Sequence, residues 1–313
     1  MTVLQAIILG IVQGLTEFIP ISSTAHLVLA SRLIGLYAGA DATLRAEQTT
    51  ATIAVVQLGT LLAVVLYFAR DIVKITRAFV HDHLALLTGG RSNDRLTANG
   101  NTLDDDGRRS TINGRGKLSR DAWLGWLVVI GSIPVAIVGL LFKRQIEGTL
   151  TKNLWVIATM MIVIAILLAL AEAVGKKNRG LTELGIGDAL AVGFAQVLAL
   201  IPGSSRSGST IMAGLFAGET RETAARFSFL LSIPAIAASG LLELKEAMHK
   251  LPDASFLPLV IATVVSGVIG YASIWFLLRF LRTHSTGVFI VYRFVLGGLI
   301  MAGLISGYIS ASS

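Results

Sequence analysis

The sequence predicts an all-α polytopic membrane protein, with six transmembrane helices plus two re-entrant helical hairpins in an inverted-topology repeat. Composition is the first observation behind this. Of the 313 residues, 54% are hydrophobic and 14% charged, and mean hydropathy is +0.74; soluble domains carry roughly a quarter charged residues. Second, six segments offer the roughly 20 mostly apolar residues that a helix needs to cross a bilayer. They lie at about 51–69, 123–142, 153–171, 224–242, 257–278 and 288–309. Third, two further apolar regions, 3–36 and 186–218, are each interrupted by a proline and small polar residues.

The first interruption is Pro20-Ile21-Ser22-Ser23-Thr24, and the second is Pro202-Gly203-Ser204-Ser205-Arg206-Ser207-Gly208-Ser209. Each region reads as helix, break, helix, with halves too short to cross. Backbone that leaves the helix at membrane depth must be buried in protein or line a wet cavity. Both regions are therefore expected to dip in and return to the same side. One hairpin and three spans fill 1–173, and a second such set fills 186–313. Three is odd, so the second repeat starts on the opposite face. The hairpins then meet near the midplane, where discontinuous helices build polar sites, and the repeats form one integrated membrane domain.

Charge sets the orientation. Segments 70–121, 174–185, 219–226 and 279–287 hold 17 Lys and Arg, against seven on the other side. The positive-inside bias places the first group in the cytoplasm, including a mobile loop at about 70–121, and both termini outside. The N-terminal stretch is apolar from Val3 and its first cation is Arg32, so no cleaved signal is expected. The chain has no cysteine, which excludes structural disulfides, Cys-based metal sites and thiol catalysis. The net charge of +7 lies mostly in loops between apolar spans, not on an aromatic-bearing surface, so no nucleic-acid partner is expected.

The informative residues are polar groups where lipid disfavours them. Gln13 and Glu17 are four apart and share a helix face. The break at Pro20 opens a second helix near Ser22 or Ser23, whose N-terminal N–H groups suit phosphate. His26, one turn in, faces the same way as Ser23. Capping by Ser22 or Ser23 is the plainer reading of the serines alone. In the second break, Gly203, Ser204, Ser205, Ser207, Gly208 and Thr210 surround Arg206 with amides and hydroxyls, a pattern that suits an oxyanion. The Gly-x-x-x-x-Gly-Lys pattern of a nucleotide loop is absent, as is His-Glu-x-x-His. Arg293, early in the last span, either snorkels to the interface or serves the site. Gln57 and Gln196 suit hydrogen bonds between helices or support of that site.

These motifs resemble those of the undecaprenyl-pyrophosphate phosphatase (bacitracin-resistance) family, over the whole chain outside roughly 81–121. The family's [Glu/Gln]-x-x-x-Glu is matched by Gln13 and Glu17. Its Pro-x-Ser-Ser-[Ser/Thr]-x-His is matched by Pro20, Ser22, Ser23, Thr24 and His26. Its Pro-Gly-x-Ser-Arg-Ser-Gly-x-Thr is matched by Pro202, Gly203, Ser205, Arg206, Ser207, Gly208 and Thr210, and Tyr292-Arg293-Phe294 is also family-like. The resemblance implies a polyprenyl pyrophosphate substrate, hydrolysed to the monophosphate to recycle the carrier for peptidoglycan synthesis. It also implies bacitracin resistance, a divalent cation (Mg²⁺ or Ca²⁺), a homodimer, and a location in the bacterial inner membrane with the site open to the periplasmic face. Two departures stand out: Gln13 replaces the Glu of some members, and the insert at 81–121 is long.

The reading that follows is metal-assisted phosphoryl transfer to water. Arg206 and the amides of 203–208 take the phosphates, together with Thr24, and Glu17 is the metal ligand. Ser23 attacks with His26 as its base, or water attacks with His26 or Glu17 as base. A lipid flippase or secondary transporter on the same scaffold is the rival. The Lys-x₆-Arg-Pro segment of the acid-phosphatase type of lipid phosphatase is absent.

Overall fold

The computed structural model describes residues 1–39, 41–87, 118–142, 153–250 and 256–311, the side chains of 42, 43, 46 and 241–250 excepted. Within them the chain forms eleven α-helices and no β-strand. In chain order these are α1 (Val3–Phe18), α2 (Ser23–Leu33), α3 (Ala42–Tyr67), α4 (Ala69–Leu87), α5 (Arg120–Leu141), α6 (Leu154–Val174), α7 (Ile186–Leu198), α8 (Arg206–Phe216), α9 (Arg221–Lys250), α10 (Phe256–Leu281) and α11 (Gly287–Ile305). Six are long and apolar enough to cross a bilayer: α3 from Glu47, α5, α6, α9 as far as Gly240, α10 and α11. They match the six expected segments to about one helical turn. The protein is thus a multi-pass, all-helical membrane protein.

The chain divides into two compact units. In the smaller, Ala69–Leu127, the structure corrects the expectation of a loop at 70–121. That segment opens with the 19-residue helix α4. Ile72, Ile75 and Phe79 recur at helical spacing, but Arg70 and Asp71 just before them and Lys74 and Arg77 between them depress the hydropathy that a search for spans relies on. Phe79 stacks on His83, and His83 Nε2 accepts from the Trp126 indole at 3.0 Å. The stretch 88–117, most of the expected insert, lies outside the described residues.

The larger unit, Met1–Phe68 with Val128–Ser313, contains both broken regions. α1 packs along α10, α3 on α9 and α10, and α6 on α8 and α11. α5 and α7 cross so closely that a Cβ at Gly193 would strike the Gly131 carbonyl, the small-residue contact that membrane helices use. α1 ends at Phe18 because the residue before Pro20 is driven extended; Ile19 has ψ 134°. Both breaks restart a helix in the same way. Ser22 (φ 78°) and Ser205 (φ 67°) are N-caps in the left-handed region, and their hydroxyls accept from Ala25 N at 3.4 Å and Gly208 N at 3.1 Å. Gly203 (φ 92°) is the residue its position requires, since a Cβ there would collide with the backbone of Ile157 on α6.

One side chain holds both breaks. Arg293 on α11 is 0% exposed. It donates to the Pro20 carbonyl of the first break at 3.4 Å, and to Gly203 and Ser204 of the second at 3.0 and 3.2 Å. It also reaches the α6 carbonyls of Met161 at 3.1 Å and Met160 at 3.3 Å. These contacts exclude snorkelling: the guanidinium points inward and satisfies carbonyls that the breaks leave without helical partners.

Two predictions follow from this packing. Arg293→Lys puts a compact ammonium where a planar fork spans five carbonyls, and lowers the melting temperature in detergent by at least about 5 °C; an unchanged transition would show that the carbonyls do not need the fork. The second concerns Glu219, in the turn between α8 and α9 and 0% exposed, with both carboxyl oxygens unbonded among the described residues. Its neighbour Arg179 is committed to Asp188 through two 2.7 Å bonds. Burial, then the Asp188 charge, pushes Glu219 up to about 7 from the ordinary 4.5. A raised carboxyl favours the fold while it keeps its proton, so stability is full below about pH 4.5 and falls as pH rises through 7. By pH 8 the loss approaches about 3 kcal/mol. Glu219→Gln should remove the decline, and equal pH dependence of melting in the two proteins would refute it.

Candidate active site

The two breaks deliver opposite charges to one place. Glu17, in the last turn of α1, is buried. Its Oε2 accepts from Gln13 Nε2 at 3.0 Å, and its Oε1 accepts from Gln57 Nε2 on α3 at 3.4 Å. Arg206, the first residue of α8, brings Nη2 within 3.6 Å of Glu17 Oε1. Its other terminal nitrogen, Nη1, is buried and unbonded among the described residues. Two amides and a guanidinium around one carboxylate hold its charge in an apolar surround, and the unbonded Nη1 leaves donor capacity for a further oxyanion.

A cavity of ≈ 10 Å³ opens beside this pair, lined by Glu17, Phe18, Arg206, Ser207, Ser228 and Phe229 among others. That is room for about one water. Ser228 and Ser232, one turn apart on α9, are cavity residues that the sequence reading missed. No pattern in the sequence singled them out, because α9 also carries Arg221, Glu222, Thr223, Arg226 and Ser239. Thr210 is not among the cavity-lining residues: its hydroxyl donates to the Arg206 carbonyl at 2.7 Å and lies 2.5 Å from Oγ of cavity-lining Ser228.

The remaining candidates divide between the site and the scaffold. Ser22 and Ser205 are spent as N-caps, Ser207 Oγ lies 3.2 Å from Ser205 Oγ, and Ser204 Oγ donates to Ile201 O at 2.8 Å. Ser23 and Thr24 head α2, where first-turn amides lack helical acceptors. Gly208 is buried against Ser205 and the Arg293 guanidinium. Gln57 joins the Glu17 cluster, whereas Gln196 is buried with both ends of its amide unbonded among the described residues. Ser23 and His26 are not hydrogen-bonded to each other. His26 Nδ1 lies 2.7 Å from the Ser22 carbonyl and Nε2 lies 2.6 Å from Tyr292 Oη. Tyr292 was legible only as part of a motif.

Among the described residues no three His, Cys, Asp or Glu side chains gather as a metal cluster. A hard divalent ion that keeps its waters and shares substrate oxygens needs only one or two protein oxygens. The Glu17 carboxylate fits that requirement, and so does Gln13 Oε1, which is buried and unbonded among the described residues. The amide at position 13 thus still offers an oxygen donor where some relatives are expected to carry a carboxylate.

Comparison with known proteins bears on the whole chain. The family described as "Bacitracin resistance protein BacA" matches residues 6–299. An undecaprenyl-diphosphatase of Syntrophobacter fumaroxidans is 50% identical over 301 residues, covering 96% of this chain and 97% of its own. Undecaprenyl-diphosphatases of Nocardia farcinica and Mycolicibacterium gilvum are 46% and 42% identical, covering 100% and 99% of this chain and 99% and 100% of theirs. With matches of that extent, running through both broken helices and the Glu17–Arg206 pair, the chain belongs to the bacitracin resistance protein BacA family.

Proposed function

We propose that this chain hydrolyses undecaprenyl diphosphate to undecaprenyl phosphate and inorganic phosphate, recycling the lipid carrier of peptidoglycan synthesis and so conferring bacitracin resistance. The observation that carries the reading is the meeting of Glu17 and Arg206, from two separate helix breaks, at 3.6 Å inside an apolar bundle. The near full-length relatives named undecaprenyl-diphosphatase supply the substrate class.

In this reading both broken regions are re-entrant hairpins of an inverted repeat, and the site opens to the outer face of the bacterial inner membrane. Support for the repeat comes from a constant offset: Gly10 and Gly193, Gln13 and Gln196, and the caps Ser22 and Ser205 are each 183 residues apart. Support for the orientation comes from the Lys and Arg excess on the side of 70–121. A homodimer belongs to the same reading.

Hydrolysis of a diphosphate needs its oxygens held and their charge neutralised. Arg206 turns its fork from Glu17 to the terminal phosphate, helped by the amides that head α8, by Gly203 and Gly208, which let the backbone approach, and by Ser207; the first turn of α2, with Thr24, meets the same headgroup. The cavity holds about one water, so the phosphate must part the pair to enter. Glu17 with Gln13 would hold Mg²⁺ or Ca²⁺, which when bound supplies further neutralisation of the phosphoryl oxygens. The attacking oxygen, Ser23 Oγ or a water, gives its proton to His26 as it bonds the terminal phosphorus. The bond from that phosphorus to the bridging oxygen breaks, and undecaprenyl phosphate leaves with the electron pair. If Ser23 attacks, water then releases phosphate from it.

The test is phosphate release by purified protein from undecaprenyl diphosphate, with and without chelator. Release should be lost on chelation and restored by Mg²⁺ or Ca²⁺; a transporter on the same scaffold would release none. Arg206→Ala and Glu17→Ala should each slow turnover by at least about 100-fold, and near-normal turnover of either would remove that residue from the site. A phosphoserine trapped at 23 identifies Ser23 as the nucleophile, whereas full turnover by Ser23→Ala assigns attack to water.

A further inference from the structure

The imidazole of His26 is held at both nitrogens. Nδ1 is 2.7 Å from the Ser22 carbonyl, which can only accept, so Nδ1 carries the proton of the neutral ring. Nε2 is then bare, and the Tyr292 hydroxyl at 2.6 Å donates to it. The two rings stack, with centroids 5.6 Å apart and planes 12° apart. Tyr292 precedes Arg293, whose guanidinium is anchored to Pro20 O in the break from which α2 starts. The hydroxyl is therefore fixed relative to the turn that carries His26. Ser22 supplies its carbonyl from a left-handed conformation, a costly geometry for a residue with a side chain.

We propose that Tyr292 is a positioning residue for His26. Its hydroxyl keeps the imidazole in the Nδ1-protonated tautomer, with the Nε2 lone pair aimed at the place the attacking oxygen must occupy, and yields that place when substrate arrives. The proposal rests on the reading of His26 as proton acceptor in diphosphate hydrolysis. Nδ1 is closed to the reaction by Ser22, so the proton of the attacking hydroxyl goes to Nε2. That oxygen takes over from Tyr292 Oη as the partner of Nε2. Side chains placed like this fix both tautomer and ring direction. A phenol suits the role: it holds its proton near neutral pH and offers it to a bare nitrogen.

Tyr292→Phe keeps the ring, the stacking and the volume, and removes only the hydroxyl. The structure predicts a fall in kcat of about tenfold, with KM within about twofold. In a His26→Ala background the same change should alter kcat by less than about twofold, because Tyr292 acts through the imidazole. A merely structural tyrosine would cost the same factor in both backgrounds. A second measurement needs no turnover. In ¹⁵N-histidine-labelled protein, with His26 identified by the signals missing from His26→Ala, wild type should show a bare Nε2. Its resonance should move downfield in Tyr292→Phe to that of a nitrogen without a donor. A protonated Nε2 in the wild type, an unmoved resonance, or equal losses in both backgrounds would each overturn the proposal. If wild-type protein released no phosphate, the hydrolase reading would fall, while the ¹⁵N measurement would still judge the Tyr292–His26 bond.

Discussion

The structure depends on one constraint: backbone that leaves the helix among apolar helices must find hydrogen-bond partners inside the protein. The breaks near Pro20 and Pro202 release carbonyls in such a place. Arg293 answers for both, with one fully buried guanidinium donating to Pro20, Gly203 and Ser204 and anchored on α6 through Met160 and Met161. A guanidinium can do this because its donors lie in a plane and point in several directions. The consequence is geometric. Breaks more than 180 residues apart in sequence become neighbours, and the side chains they carry inherit that proximity.

The chemistry of the site grows from the same feature. A helix that restarts at a serine cap presents first-turn amides of which the cap hydroxyl takes one and the rest lack helical acceptors. Two such restarts, at Ser22 and Ser205, converge with an acid and a base between them. Glu17 comes from the helix that ends at one break, and Arg206 heads the helix that begins at the other. Gln13 and Gln57 steady the carboxylate without neutralising it. The arrangement is compact, with a cavity of ≈ 10 Å³, and Gln13 Oε1 and Arg206 Nη1, unbonded among the described residues, belong to the cluster around the Glu17–Arg206 pair. Unbonded polar atoms in a buried site are expensive unless a ligand supplies their partners.

Much of this was legible in the sequence, for identifiable reasons. The six spans announce themselves because lipid tolerates little but long apolar helices. Glu17, His26 and Arg206 stand out because ionisable groups in such stretches are costly. Helix α4 escaped because Arg70, Lys74 and Arg77 mask the apolar period of Ile72, Ile75 and Phe79. Ser228 and Ser232 escaped because a hydroxyl in a long helix is ordinary until a cavity lies beside it. Arg293 was visible but ambiguous: an arginine near a helix end can reach outward or inward, and only its neighbours decide.

By itself the sequence determined the number of spans, the two interruptions and the residue types each brings, since these follow from local preferences of proline, serine and apolar runs. It also carried the family, through motifs in those interruptions, in the helix before the first of them and in the last span. Only the tertiary structure decided which atoms meet. It paired Glu17 with Arg206, turned Arg293 onto the freed carbonyls and gave His26 to Tyr292 in place of Ser23. Those choices depend on how α1, α2, α6, α8 and α11 pack, and the direction of a side chain across a helix interface is set by the partner helix, not by the residues beside it in the chain.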